Sequence, residues 1–287
     1  MNAGQLLQEA LAHHQAGRLQ DALPLYQKAL ELEPDQPDAL HLCGLVCHQV
    51  GRGEQAAELI GRAVEINGDS ALYRTNFAIV LNMIGRFSEA EEAADGATKL
   101  AADNAEAWHH LGISRLGQQK FADAEAALTK ATKLEPNNSE YLNNLGTAYR
   151  NLGQNDQAVE TFRRAVDSDP DFAVGQTNLA EALKGLGEIA EAEALCLKII
   201  ESHPDHASAY HVLGGVMMVR MAYTAAVEAF NKYIELVPNQ TKGYVALASV
   251  QNILAEYGAA EQNLNRALEI DPQSASTLQS IGSLLLQ

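Results

Sequence analysis

Basic residues are scarce in this sequence. Its 287 residues include 20 lysines and arginines against 37 aspartates and glutamates, which gives a formal net charge of −17. Nucleic-acid binding depends on cationic side chains that neutralise phosphates, and anionic membrane surfaces also attract cationic segments. The sequence therefore predicts no nucleic-acid partner and no membrane partner, and it favours protein partners that are neutral or basic.

Cysteines and long apolar runs are also few. The three cysteines, Cys43, Cys47 and Cys196, are an odd number with no disulfide framework, which is typical of a reducing compartment. The N-terminus has no basic segment ahead of an apolar core, so it lacks the pattern of a secretory signal. No apolar run approaches the roughly 18–20 residues that a membrane span needs. These absences predict a cytoplasmic protein.

Aromatic residues make up only 6% of a chain that is 47% hydrophobic, and alanine supplies much of the apolar content. That composition suits closely packed helices better than a sheet, which favours β-branched and aromatic residues. The stretch 139–172 shows the pattern most clearly. Its apolar residues recur at helical spacing before and after Gly153, and Pro170 ends the second run. This stretch predicts two helices joined by a tight turn.

The same 34-residue pattern recurs along the whole chain. Alanine stands at the equivalent of Ala158 in all eight copies, and the equivalent of Gly146 is always glycine or alanine. Small residues there let two helices approach closely. The predicted units are 3–36, 37–70, 71–104, 105–138, 139–172, 173–206, 207–240 and 241–274, followed by a terminal helix at 275–287.

The period, the helix–turn–helix pattern and the residue set resemble the tetratricopeptide repeat (TPR). A single hairpin of this kind cannot bury its apolar face, so successive hairpins stack into a solenoid. The resemblance implies an all-α, right-handed superhelical solenoid of about eight units, with 1–287 as one domain.

Some units depart from the pattern. Gln119, Met221 and Ala255 replace the glycine at the turn between the two helices. Ile199 and Tyr233 stand where the other units carry alanine, and we expect these larger side chains to change the packing around units six and seven.

The resemblance also implies a binding surface. In TPR superhelices the first helix of each hairpin lines the concave face, with groove residues at repeat positions 2, 5, 6, 9, 12 and 13, counted from the first residue of each unit. Asn76, Asn144 and Asn178 share position 6. An amide can donate to and accept from a peptide backbone at once, and the series resembles the asparagine ladder of O-GlcNAc transferase. The predicted partner-binding groove residues are His41, Asn76, His109, His110, Asn143, Asn144, Thr147, Asn178 and His211. The alternative interpretation is that the asparagines only satisfy neighbouring backbone or each other.

The sequence indicates neither a metal site nor a catalytic site. The pairs His13–His14 and His109–His110 are sequence neighbours, and neighbours do not share a helix face as metal ligands must. The sequence contains no G-x-S-x-G, no HExxH and no glycine-rich phosphate loop. We therefore predict no catalytic residue, no metal and no cofactor.

These patterns predict a non-catalytic module that binds a protein or an extended peptide in its concave groove. An alternative is the substrate-recruiting N-terminal region of a larger glycosyltransferase, or another transferase, with its catalytic domain beyond residue 287. Residues 38–67 resemble the second repeat of bacterial TPR proteins that carry such domains. The apolar residues 284–286 also raise the possibility of self-association through the C-terminal helix.

Overall fold

The computed structural model describes residues 1–285, apart from the side chains of 276 and 283–285. These residues form seventeen α-helices and no strand. The first helices of the hairpins, with the terminal helix, are α1 (Ala3–Gln15), α3 (Pro37–Gln49), α5 (Ala71–Met83), α7 (Ala105–Gly117), α9 (Ser139–Asn151), α11 (Ala173–Leu186), α13 (Ala207–Val219), α15 (Thr241–Ile253) and α17 (Ala275–Leu285). The second helices are α2 (Leu19–Leu32), α4 (Gly53–Ile66), α6 (Phe87–Leu100), α8 (Phe121–Leu134), α10 (Asn155–Ser168), α12 (Ile189–Ser202), α14 (Tyr223–Leu236) and α16 (Tyr257–Ile270).

The chain divides into two compact units, Met1–Gly153 and Gln154–Gln287. Within the first unit, consecutive helices from α1 to α9 pack on each other, and α1, α3, α5, α7 and α9 also pack directly on one another in order. We call these five helices the first-helix layer. Within the second unit, α11 packs on α13 and α15 packs on α17 in the same way. The predicted all-α fold of stacked helical hairpins is confirmed, whereas a single domain over 1–287 stays a prediction.

Side-chain caps fix where the first helices of the first unit begin. The N-cap residues recur every 34 positions, and each accepts a hydrogen bond from the backbone N–H three residues later; they are Asn2, Gln36, Ser70, Asn104 and Asn138. Such a cap satisfies one of the N–H groups that a helix start leaves without a partner, and contributes about 1 kcal/mol. Of the equivalent residues in the second unit, Phe172, His206 and Gln240 make no side-chain cap bond, whereas Ser274 accepts from the backbone N–H of Thr277 over 3.4 Å.

Glycine at the small position sits against a large side chain. A Cβ atom on Gly44 would lie 2.5 Å from Ile60 Cγ1, and a Cβ on Gly214 would lie 2.5 Å from Phe230 Cε1. Both distances are far inside van der Waals contact. The two helices of each hairpin can therefore approach this closely only because the residue at the small position has no side chain. The small position therefore works as the sequence predicts.

The turn between the helices needs a left-handed backbone, whichever residue is there. The glycines at this position have φ between 72° and 83°, and Gln119, Met221 and Ala255 adopt φ of 61°, 59° and 59°. A residue with a Cβ atom pays about 1–2 kcal/mol in this conformation. The three departures from glycine are accordingly sites of local strain.

Replacing Met221 with glycine should therefore raise the free energy of unfolding by about 0.5–1 kcal/mol, because relief of strain exceeds the entropy that glycine adds to the unfolded chain. Met221 is 74% exposed, so little packing is lost. The opposite change, Gly51→Ala, should cost about 1 kcal/mol, since nothing lies within 4 Å of its Cβ position and only φ is strained. Urea denaturation monitored by circular dichroism measures the free energy of unfolding of both variants. Variants as stable as the wild type would contradict the strain.

The ring of Tyr233 packs against a glycine in the next first helix. A Cβ on Gly243 would lie 2.5 Å from Tyr233 Cδ1, so this glycine accommodates the ring. The larger residue in unit seven is thus matched by a smaller one in unit eight.

Candidate functional site

The first-helix layer contains two copies of one polar arrangement. In the first copy, the buried ring of His41 stacks on Tyr73 with ring centroids 4.5 Å apart. The amide nitrogen of Asn76 donates to His41 Nε2 over 2.8 Å. The hydroxyl of Tyr73 donates to Asp38. Contacts between α3 and α5 therefore hold the amide of Asn76 in place.

The second copy lies 68 residues further on. His109 stacks against Tyr141 at 4.3 Å, and Asn144 Nδ2 donates to His109 Nε2 over 2.7 Å. We call each histidine–tyrosine–asparagine set a His–Asn module. The modules join α3 to α5 and α7 to α9, so the same chemistry recurs two repeats apart within the first unit.

Burial keeps the module histidines neutral. Desolvation of the His109 ring, reinforced by the nearby His110, lowers the pKa of His109 to about 3. Desolvation also lowers the pKa of His41, against an opposing effect of Asp38. A neutral ring that accepts at Nε2 carries its proton on Nδ1. The histidines therefore act as fixed acceptors that orient the asparagine amides.

Each oriented amide keeps a second N–H and its carbonyl oxygen. Asn76 and Asn144 are partly buried, and neither makes another hydrogen bond among the residues that the structure describes. One donor beside one acceptor matches the C=O and N–H of an extended peptide backbone. Each amide thus bonds a histidine ring, and the choice between partner binding and satisfaction by neighbouring backbone or by other asparagines stays a prediction.

His110 and Asn82 form a further polar contact in the same layer. Asn82 Nδ2 donates to the backbone oxygen of His110 over 3.0 Å, and the rings of His109 and His110 meet edge to face at 5.0 Å. Burial lowers the pKa of His110 to about 4. Asn82 Oδ1 and His110 Nδ1 are buried, and neither atom has a hydrogen-bond partner among the described residues.

The remaining predicted groove residues have different surroundings. Thr147 Oγ1 donates to the backbone oxygen of Asn143, a residue that is buried. Asn178 and His211 belong to the second unit, where both are partly buried. His211 packs edge to face against Phe230 and Tyr233, and burial lowers its pKa to about 4. The position equivalent to the module asparagines is Ala246 here, and His211 has no asparagine partner among the residues that the structure describes.

An apolar stripe runs beside the two modules. Leu45, Ile79 and Ile113 occupy position 9 of three successive first helices, and each is partly exposed. Apolar side chains of a bound segment can pack on this stripe while the amides contact its backbone.

Several of these residues were not in the predicted groove set. Tyr73 and Tyr141 stand at position 3 of the two units that carry the module asparagines, and Asn82 stands at position 12. A search of the sequence for features with twice the repeat period would have found both tyrosines. His203 and His206 also stand three residues apart, but the rings bond Ser202 and Thr177, respectively.

No metal centre or membrane segment emerges from the described part of the chain. Among residues 1–285, no group of three or more His, Cys, Asp or Glu side chains is placed to hold a metal ion. In the same range, no helix has both the length and the hydropathy for crossing a bilayer.

Three family models match this sequence, and solved structures are similar to its fold. The model described as Cilia and flagella-associated protein 70 C-terminal domain matches residues 2–205, and two tetratricopeptide-repeat models match 177–241 and 241–274. The sequence matches none of the curated proteins.

Three solved structures illustrate the fold. A chain of the APC/C hetero-tetramer Cut9–Hcn1 is 20% identical with a TM-score of 0.70 over 98% of this chain, which spans 55% of that one. A tetratricopeptide repeat protein from Parabacteroides merdae is 16% identical with a TM-score of 0.71, covering 87% of this chain and 98% of its own. YrrB, described as a TPR protein with an unusual peptide-binding site, is 24% identical with a TM-score of 0.52, covering 65% and 96%.

At these identities the structures show the fold alone, and the family match covers more than half of the sequence. The chain is a tetratricopeptide-repeat protein and belongs to the family described as the Cilia and flagella-associated protein 70 C-terminal domain.

Proposed function

We propose that this chain is a non-catalytic scaffold that binds an extended segment of a partner protein along the first-helix layer of residues 1–153. Tetratricopeptide repeats are typically scaffolds for protein–protein interaction. The observation that carries the proposal is the pair of His–Asn modules, in which Asn76 and Asn144 are held 2.8 Å and 2.7 Å from neutral imidazoles. Fixed amides bind a backbone at low entropic cost, because they are oriented before the ligand arrives.

Affinity in this proposal has two sources. The module amides hydrogen-bond the backbone of the segment, and the stripe of Leu45, Ile79 and Ile113 packs against its side chains. Backbone recognition makes binding tolerant of sequence, whereas the stripe favours apolar side chains. Thr147 and Asn143 are proposed as further contacts in the first unit, and Asn178 and His211 are proposed as partner contacts of the second unit by itself.

The test uses a random 12-residue peptide library displayed on phage and panned on the full chain. Enriched peptides are then measured by fluorescence polarisation. Asn76→Ala combined with Asn144→Ala should weaken binding by at least tenfold, because each hydrogen bond contributes about 1 kcal/mol. Asn137→Ala, at an exposed turn residue, is the matched control and should leave the affinity unchanged. Affinity of the double variant within twofold of the parent, or a library that enriches no peptide, would refute the proposal.

His109→Phe tests whether the histidine acts by positioning Asn144. Phenylalanine keeps a ring against Tyr141 but removes the acceptor at Nε2. Binding should fall severalfold while the urea midpoint changes little, and His109→Phe should add almost nothing in an Asn144→Ala background. Full additivity of the two changes would show that the ring acts independently.

Three finer proposals stand beside the main one. The transferase alternative rests on the sequence resemblance at 38–67, and the gene read beyond codon 287 decides it. Self-association through the C-terminal helix involves residues 284–286, whose side chains are outside the described part of the chain, and light scattering at several concentrations tests it. A cytoplasmic location is proposed from the cysteine usage.

A further inference from the structure

A cavity of about 590 Å³ in the first unit is lined by residues of α4, α5 and the start of α6, none of which belongs to a His–Asn module. Its floor consists of Ala57 and Gly61 from α4 and Phe77 from α5. Its rim consists of the charged residues Glu54, Glu58, Arg62, Glu65, Arg86 and Glu89. A cavity of this size holds a large side chain or a small ligand.

Two departures from the repeat pattern create this cavity. Gly61 stands at position 25, where every other unit carries a side chain: Gln27, Asp95, Thr129, Arg163, Leu197, Asn231 and Asn265. Phe77 stands at position 7, which is leucine in five units. The two residues meet, since a Cβ on Gly61 would lie 3.2 Å from Phe77 Cζ. The missing side chain leaves the aromatic ring as the floor of an open site.

The rim is negatively charged, and its arginines are already occupied. Arg62 Nη2 donates to Asp35 over 2.9 Å and to the backbone oxygen of Pro34 over 3.1 Å. Arg86 donates to Glu89 through two nitrogens, at 2.7 Å and 2.6 Å, and it lies 3.3 Å from Glu54.

The two remaining carboxylates, Glu58 and Glu65, take no hydrogen bond and no ion pair within the described residues. They stand seven residues apart on α4, so they lie on the same side of that helix with Gly61 between them. An incoming cation therefore meets two unpaired carboxylates above an aromatic face.

An aromatic floor with carboxylates at its edge matches a guanidinium group. A planar guanidinium stacks on an aromatic face and bonds carboxylates through its N–H groups, which an ammonium cannot do in the same geometry. The net charge of −17 adds a long-range attraction for basic segments.

We propose that the cavity between α4 and α6 binds an arginine side chain from a basic segment of a partner protein, as a second recognition site separate from the His–Asn modules. The guanidinium lies on Phe77 and bonds Glu58 and Glu65. The aliphatic part of the side chain passes over Ala57 and Gly61.

The probe is a capped Gly-Gly-Arg-Gly-Gly peptide, titrated into the full ¹⁵N-labelled chain and followed by NMR. Shifts should concentrate at Gly61 and Phe77. The same peptide with citrulline, which keeps the shape of arginine without its charge, should bind at least tenfold more weakly. Equal binding of the two peptides, or shifts spread over the acidic surface, would overturn the proposal.

Two variants locate the site. Gly61→Leu fills the cavity with leucine, the residue that unit six carries at the equivalent position, Leu197. This variant should bind the arginine peptide at least tenfold more weakly. Glu58→Gln with Glu65→Gln changes only the rim, so the fold is kept, and it should weaken binding at least fivefold. Retained affinity in this second variant refutes the proposal whatever happens to Gly61→Leu.

Two controls separate this site from general acidity and from the His–Asn modules. Glu31→Gln with Glu140→Gln removes the same charge at exposed residues of α2 and α9, and it should leave the affinity within twofold. Asn144→Ala should also have no effect, so the arginine site and the proposed peptide-binding layer can fail independently. A loss in either control equal to that of the rim variant contradicts a specific site.

Discussion

Replacing Gly112 with alanine should lower the free energy of unfolding by about 2 kcal/mol, although alanine is the better helix former. A Cβ atom at this position would lie 2.7 Å from Leu128 Cδ2, and Leu128 is fully buried. The leucine would have to leave its rotamer, or the helices α7 and α8 would have to separate. Overpacking of this kind costs about 1–3 kcal/mol.

A double-mutant cycle with Leu128→Ala separates the collision from the general cost of mutating the core. Leu128→Ala alone should cost about 3 kcal/mol through lost burial and the cavity that it leaves. The double variant should cost about 3 kcal/mol as well, and not the 5 kcal/mol of two independent changes, because the new methyl group enters the cavity. Unit three already uses this combination in Ala78 and Ala94, both fully buried.

Urea denaturation of the four proteins measures the cycle. Gly258→Ala is the control, since nothing lies within 4 Å of its Cβ position in α16, and it should be stabilising by about 0.5–1 kcal/mol. Additive effects of Gly112→Ala and Leu128→Ala would mean that these residues do not share space.

Glu91→Ala should cost about 2 kcal/mol at pH 7, because Glu91 is the common acceptor of three side chains. Arg115 Nε donates to it over 3.0 Å, Lys120 Nζ over 2.7 Å and Gln118 Nε2 over 2.9 Å. Glu91 and Arg115 are only 21% and 20% exposed, so removal of the carboxylate leaves Arg115 largely out of water without its partner. The exposure of Lys120 reduces its share of the effect.

The cost of Glu91→Ala should depend on pH. Burial alone would raise the pKa of Glu91, but the hydrogen bonds from Lys120, Arg115 and Gln118 outweigh it and lower the pKa to about 2. A folded-state pKa below the unfolded value of 4.5 means that the carboxylate stabilises the fold above pH 4.5. This stabilisation is lost as the pH falls from 4.5 towards 2, so the difference between wild type and Glu91→Ala should shrink over that range.

Denaturation curves of both proteins between pH 7 and pH 3 measure this dependence. Glu92→Ala, at the exposed neighbouring residue, is the control and should change the free energy of unfolding by less than about 0.5 kcal/mol at every pH. A Glu91→Ala effect that stays constant down to pH 3 would show that the network does not depend on ionised Glu91.

Features that repeat every 34 residues could be predicted from the sequence. The helical hairpins, the small position at Gly112 and its equivalents, and the helix ends all follow from spacing and residue size, which are local properties. The location of Asn76 and Asn144 on first helices followed from the family resemblance. In that family, position 6 of every repeat lies on the first helix of the hairpin.

Features that depend on pairs of units were not predictable in the same way. The contact of Asn76 with His41 spans 35 residues, and its geometry depends on how neighbouring hairpins stack. The cavity floor needs Gly61 and Phe77 to meet across α4 and α5, and each alone resembles an ordinary substitution. The ion network of Glu91 likewise joins α6 to α7 and to Lys120 in the turn before α8, where the sequence shows only scattered charges.

The uneven helix caps and turns imply a gradient of local stability along the chain. Repeat arrays open as coupled segments, each with its own free energy. The first helices of residues 1–153 begin with side-chain caps, whereas α11, α13 and α15 do not. Residues 1–153 contain one strained turn, Gln119, whereas Met221 and Ala255 fall in consecutive hairpins of the second unit. Amide protons of α13 to α16 should therefore exchange with solvent before those of α3 to α8, so the part with both proposed recognition sites stays closed while the other part frays.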